Sequence, residues 1–137
     1  MREVEHRGRP AHERTVLAEI DLDQIAEETG IPIMLYNVPS RTGTNILPET
    51  VAEMAKVPNI VAIKEAAGSV DQVSAIKSLC DITVLSGDDS LTLPMMAVGA
   101  TGVVSVAANV APGPIAQMCA EFDKGNLAEA QRLHYEL

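Results

Sequence analysis

Four short apolar runs recur along this chain: IPIMLYNV (31–38), IVAIKEA (60–66), ITVLSG (82–87) and GVVSVAAN (102–109). Each is short enough for a strand and rich in β-branched residues. None alternates cleanly between apolar and polar positions, which predicts strands covered on both faces, as in a parallel sheet. Helical patterning fills the spaces between them. LPETVAEMAKV (47–57) puts Val51, Met54 and Ala55 on one face. Residues 69–80 follow Gly68, with Ser69 as N-cap, and residues 90–98 form a short apolar helix opened by Asp88, Asp89 or Ser90. Pro112 and Pro114 open a helix that runs to about Lys124 and is closed by Gly125. Residues 126–137 are predicted as a last helix capped by Asn126. Ahead of the first run, residues 15–30 also have helical spacing, with Gly30 as the stop. Such β-α alternation implies an α/β fold of parallel strands joined by right-handed crossovers. Pattern alone does not separate a doubly wound sheet from a barrel. Four strands are half of a (β/α)8 TIM barrel, whose usual length is about 250 residues.

The 137 residues are enough for one ordinary domain. Hydrophobic residues make up 47% of them but aromatics only 2%, so the core must be aliphatic. A net charge of −9 argues against a nucleic-acid surface and against an anionic membrane. No apolar run reaches the 18 residues of a membrane span. Cys80 and Cys119 sit in apolar contexts and are expected to be reduced and buried, as in a cytoplasmic protein. Residues 1–14 are charged and irregular and lack the apolar core of a signal peptide.

Lys64 is the most informative residue, because it interrupts an apolar strand. Burying an ammonium is costly unless it is paired or its pKa falls. A lysine with a depressed pKa is the nucleophile of Schiff-base chemistry; the plainer reading is a lysine that reaches solvent or pairs with Glu65. Alternation places Lys64 on the face of Ala62 and Ile60, which in a barrel would be the lumen. Tyr36 ends the first run, where a phenol can serve as acid, base or donor at the C-terminal rim, or be a half-buried tyrosine. Arg41 follows in a loop, either gripping a carboxylate or lying on the surface. In that loop Thr42 and Gly43 shape the turn, and Thr44 and Asn45 are candidate caps for the next helix. Gly87 permits close backbone approach. Asp88 and Asp89 lack the further ligands of a metal site, and helix capping explains them better. His6, His12 and His134 fit no zinc spacing.

Taken together, YNVPSRTG (36–43), IVAIKEA (60–66) with its lysine 28 positions after the tyrosine, LSGDD (85–89) and GATGVVSVAANVAP (99–112) resemble the dihydrodipicolinate synthase family. The resemblance spans residues 22–137 and implies strands 5–8 of a (β/α)8 barrel with their helices. It implies a pyruvate-dependent lyase that condenses pyruvate with aspartate-4-semialdehyde on the route to lysine. Lys64 would form the imine and Tyr36 would relay protons. Arg41 would bind a carboxylate of the second substrate. Val104 would line the pyruvate site through its carbonyl, and Gly87 would shape the same pocket. No metal or organic cofactor is implied, and full-length members are homo-oligomers.

Related members share the lysine and tyrosine, among them N-acetylneuraminate lyase and keto-deoxy-sugar-acid aldolases; the Arg-Thr-Gly after Tyr36 favours the synthase. A non-catalytic half-barrel that self-associates is the reading of another class, with Lys64 unreactive. Residues 1–21 do not share the resemblance and are expected to be a poorly ordered leader. The family's earlier four strands have no counterpart here, so the expectation is a partial barrel that is inactive alone.

Overall fold

A computed structural model describes residues 22–137. It begins with α1 (Leu22–Thr29), β1 (Ile33–Asn37), α2 (Pro39–Thr42), α3 (Pro48–Met54), β2 (Ile60–Glu65), α4 (Val70–Leu79) and β3 (Thr83–Ser86). A 3-10 turn (Asp89–Leu91), α5 (Thr92–Ala97), a second 3-10 turn (Ala107–Asn109), α6 (Pro112–Asp123) and α7 (Leu127–Glu136) complete it. The proposed leader and the first part of the 15–30 helix lie outside the described residues. The three strands form a parallel sheet in the order β1-β2-β3.

Ser69 caps α4 as its sequence position predicts, its hydroxyl accepting from the Gln72 amide at 3.2 Å. Val51 and Met54 of α3 and Val73 and Ile76 of α4 are buried against Leu35, Ile63 and Val84 of the sheet. Leu93, Met118, Ala130 and Leu133 make a second cluster that joins α5, α6 and α7. Both clusters are aliphatic apart from the partly buried Phe122, as the scarcity of aromatics requires.

Several expectations need correction. The fourth run is shorter than expected: backbone bonds from Thr101 N–H to Val84, Ser86 N–H to Gly102 and Val104 N–H to Ser86 hold its start beside β3 in one parallel bridge, Val103 to Ser86, and it then turns into the 3-10 segment. Beyond Val104, where β3 has ended, side chains take the amides. Asp89 Oδ2 accepts from Val106 and Ala107 N–H at 3.2 and 3.0 Å, and Ser105 Oγ accepts from Ala108 N–H at 2.8 Å. Asp89 therefore caps a turn 17 residues away rather than its own helix, and neither Asp88 nor Leu91, at the two local cap positions, makes a side-chain cap bond. Leu47, not Thr44 or Asn45, holds the cap position of α3. Asn126 stands at the cap of α7, but its amide donates to Glu121 instead. The segment after β1, expected as a loop, winds into the short α2, started by Pro39 and closed by Gly43 at φ 73°. Cys80 and Cys119 are free but only partly buried.

Both-face burial also fails for these residues. Leu35, Asn37, Ile63, Glu65, Val84 and Ser86 are buried, on the face that the helices cover. Met34, Tyr36 and Val61 are each about half exposed. On the face that carries Tyr36, Ala62 is buried and Lys64 and Leu85 are partly buried, so that face is less covered than the helix side. The register shifts by one residue, with Ile33 opposite Ile60 and then Met34 opposite Ala62, so Val61 is the extra residue of a bulge. That bulge sends Ile60 into the helix-side core, away from the face of Lys64, contrary to simple alternation.

Candidate functional site

The site is assembled at the C-terminal ends of the strands. Tyr36 and Lys64 are directly opposite each other in the β1–β2 register, and Lys64 is in turn opposite Leu85 of β3. Their side chains leave the open face together, with Lys64 Nζ 4.1 Å from the centroid of the Tyr36 ring. An ammonium over the face of a phenol ring is a cation–π contact, and it holds the two side chains together on one face. It does not arise from a Lys64–Glu65 ion pair. Glu65 points to the opposite face, where its carboxylate accepts from Asn37, Ala67 and Gln72.

Gly87 closes one side of the lysine. Its amide donates to the Glu65 carbonyl at 2.7 Å. A Cβ at this position would lie 2.5 Å from the Ala66 Cβ and 3.1 Å from the Lys64 Cε. Gly87→Ala therefore has to push the ends of β2 and β3 apart, since Ala66 has no flexible side chain to yield. The expected cost is about 1–3 kcal/mol, measurable by urea unfolding, together with a displaced Lys64. An unchanged midpoint would show that the strand ends are looser than this contact implies.

Val104 lies on the segment beside β3, its amide donating to the Ser86 carbonyl at 2.8 Å, so it borders Gly87 across one strand. Arg41 sits in the last turn of α2 at the end of β1 and is exposed. The structure thus brings Tyr36, Lys64 and Gly87 together, with Val104 alongside. Arg41 stands at the rim, with no side-chain contact to that group.

Two sets of residues have roles that the sequence reading did not give them. The first is a buried polar cluster behind the pair. Asn37 Nδ2 donates to both Glu65 oxygens at 3.0 Å and to Asn45 Oδ1 at 2.8 Å. Gln72 Nε2 donates to Glu65 Oε2 at 3.0 Å. Burial raises the Glu65 carboxyl above its ordinary value, and the bonds from Asn37, Ala67 and Gln72 only partly offset that. A signal existed: Asn37 and Glu65 carry the same 28-residue spacing as Tyr36 and Lys64, one position on. The second is Asp89. Desolvation would raise its pKa, but bonds from Ser105, Ala107 and Val106, with the Lys64 charge adding, hold it below the ordinary carboxylate value.

Other features lie elsewhere. A shallow groove bordered by Lys56, Val61, Leu79, Asp81 and Thr83 opens at the opposite, N-terminal end of the sheet. Among the described residues no three His, Cys, Asp or Glu side chains gather as metal ligands, and no helix is long and apolar enough to cross a membrane. His134 packs edge-on against Tyr135, and the other two histidines lie outside the described residues.

The model of the dihydrodipicolinate synthetase family matches residues 19–137. This chain belongs to that family. A 4-hydroxy-tetrahydrodipicolinate synthase of Methanothrix thermoacetophila is 56% identical over 117 residues, which are 83% of this chain and 40% of that protein. The crystal structure of dihydrodipicolinate synthase from Aquifex aeolicus superposes with a TM-score of 0.82 at 44% identity, over 84% of this chain and 40% of that one. The chloride-inhibited enzyme of Acinetobacter baumannii, complexed with pyruvate, superposes with a TM-score of 0.78 at 38% identity, over 83% of this chain and 40% of that one. The chain thus spans about 40% of the length of these relatives. Its parallel β/α units are part of the family's TIM barrel, as the resemblance implied and the pattern alone did not decide. In a closed barrel the open face of Tyr36 and Lys64 is the lumen side, and the helix-covered face is the outer side.

Proposed function

We propose that these residues carry the imine-forming site of a 4-hydroxy-tetrahydrodipicolinate synthase, a cytoplasmic lyase that condenses pyruvate with aspartate-4-semialdehyde in lysine biosynthesis. The observation that carries this reading is the meeting of Lys64 and Tyr36 on the lumen-side face, with Lys64 Nζ 4.1 Å from the centroid of the Tyr36 ring. The presence of pyruvate in a relative of the same fold supports the choice of carbonyl substrate.

In this mechanism the Lys64 amine attacks the keto carbon of pyruvate, water leaves, and a protonated imine forms. That imine is an electron sink, so a methyl proton is lost and an enamine results. The enamine carbon then attacks the aldehyde carbon of the second substrate, whose oxygen takes up a proton, and that substrate's own amine displaces Lys64 from the imine, closing the ring and freeing the lysine. No metal or organic cofactor enters any of these steps. The Tyr36 hydroxyl, carried on the ring that Lys64 Nζ overlies, moves protons during these steps. Gly87 keeps the pocket beside Lys64 free of a side chain, and the Val104 carbonyl lines it. Arg41 at the rim receives a carboxylate of the incoming aldehyde, its planar fork suited to a bidentate contact.

The test is to incubate the purified chain with pyruvate and borohydride and to map the adduct by mass spectrometry. A reduced pyruvyl group on Lys64 is expected. A folded chain left unmodified at Lys64, while a full-length relative is trapped in parallel, would sink the reading that these residues form the imine unaided.

A further inference from the structure

The face of the sheet that would hold substrate does not explain how Tyr36 and Lys64 come to be opposite each other. The backbone ladder does not fix this by itself. A slip of two residues between β1 and β2 keeps every side chain on its own face, yet moves Tyr36 about 7 Å along the strand from Lys64. The bulge at Val61 weakens the ladder as a ruler, because the register changes between Ile33 and Met34.

What holds the C-terminal end lies on the hidden face. Asn37 and Glu65 are opposite each other one position beyond Tyr36 and Lys64. Both are fully buried, and the bonds from Asn37 Nδ2 to the two Glu65 oxygens, each 3.0 Å, are the side-chain hydrogen bonds that join β1 to β2 among the described residues. Asn37 Oδ1 accepts from the Ile46 amide at 3.0 Å, and Glu65 Oε1 accepts from the Ala67 amide at 2.7 Å, so each residue also grips the chain that leaves its own strand. Asn45 and Gln72 close the ring: Asn45 Nδ2 donates to Gln72 Oε1 at 2.8 Å, and Gln72 Nε2 donates to the Ile46 carbonyl at 3.2 Å. No slipped register keeps this set of partners.

We propose that the buried Asn37–Glu65 clasp, closed by Asn45 and Gln72, is the positioning device of the Tyr36–Lys64 pair. It rests on the proposed imine chemistry only for the task that the pair performs. Asn37 and Glu65 touch no substrate. They act through their neighbours, by fixing the strand register and the rotation of the strand ends.

The test reads the pair directly and needs no pyruvate. Lys64 in the full chain is reductively methylated with carbon-13 formaldehyde, and its methyl signal is followed by NMR against pH. With the clasp intact, that signal is shifted upfield by the Tyr36 ring and shows a cross-peak to the ring protons. In Glu65→Gln the amide group must set a donor against the Gln72 or Ala67 donor, and both the shift and the cross-peak should be lost in a chain that still folds. The reciprocal double variant Asn37→Asp with Glu65→Gln restores a donor–acceptor pair between the strands and should recover them. If Glu65→Gln is folded and keeps the Lys64 shift, the cross-peak and the pH profile of the native chain, the clasp only adds stability and the proposal falls. The proposal falls equally if the double variant regains stability without the signature. Should Glu65→Gln not fold, Gln72→Ala removes a single part-buried donor and should weaken the signature; an unaltered signature there overturns the proposal too. A native chain that shows the signature but is not trapped by pyruvate would count against the imine reading and leave the positioning role standing.

Discussion

Glu65→Ala is expected to lower the unfolding free energy by about 2–3 kcal/mol at neutral pH, a large share of the 5–15 kcal/mol of a typical domain. The loss has identifiable parts. The Ala67 amide loses its partner, Asn37 and Gln72 each lose a charge-assisted bond while keeping their contacts to Asn45, and a cavity is left in the outer layer of the sheet. Relief of the buried charge offsets part of this, which keeps the figure below that for a fully orphaned network. Urea unfolding of the two chains measures the difference, and a change below about 0.5 kcal/mol would show that the cluster is dispensable.

The pH dependence of the same variant has a definite sign. Burial raises the folded-state pKa of Glu65 above the ordinary 4.5. A raised carboxyl binds its proton more tightly in the folded than in the unfolded chain. Its contribution is therefore fully present below about pH 4.5 and is lost as pH rises through the folded value. The gap between native and Glu65→Ala chains should narrow as pH rises across that window and then level off. Asp89 works the other way: its depressed pKa gives stability that is present above its ordinary 3.8 and lost as pH falls. Asp89 is common to both chains, so its effect cancels in the difference.

These two carboxylates also mark how far the sequence carried. Local signals were legible because they act over a few residues: the Ser69 cap, the proline and glycine bounds of α6, and the apolar runs that became β1, β2 and β3. The pairing of Tyr36 with Lys64 was legible through resemblance, since a 28-residue interval does not reveal by itself that two residues stand in register. What failed was non-local. Asp89 draws the amides of Val106 and Ala107 from 17 and 18 residues downstream, where the expected fourth strand has left β3 and turned. No window of sequence shows that pairing. Glu65 was weighed only as a partner for Lys64, yet period-two alternation already sends adjacent residues to opposite faces. Its real partners come from β1 and α4, brought together by the fold.

Lys64→Ala should abolish trapping of pyruvate by borohydride at this site, since among the described residues no other amine is recorded over the Tyr36 ring, whereas Tyr36→Phe should still be trapped but more slowly. The contrast follows from what each group does. Without the amine no carbon–nitrogen bond forms, and the loss is complete. Without the phenol the bond still forms, but the proton must come from water, and such losses are roughly 10²–10⁴-fold in rate. Neither change should disturb the fold much. Tyr36 is 50% exposed, and Lys64 contributes to neither buried cluster. The two predictions are separated from the clasp by the side of the sheet on which they act. The Lys64 and Tyr36 substitutions should change trapping at nearly constant stability, and Glu65→Ala should change both. Trapping that survives Lys64→Ala would place the reactive amine elsewhere. Equal rates for Tyr36→Phe and the native chain would reduce the 4.1 Å contact to packing.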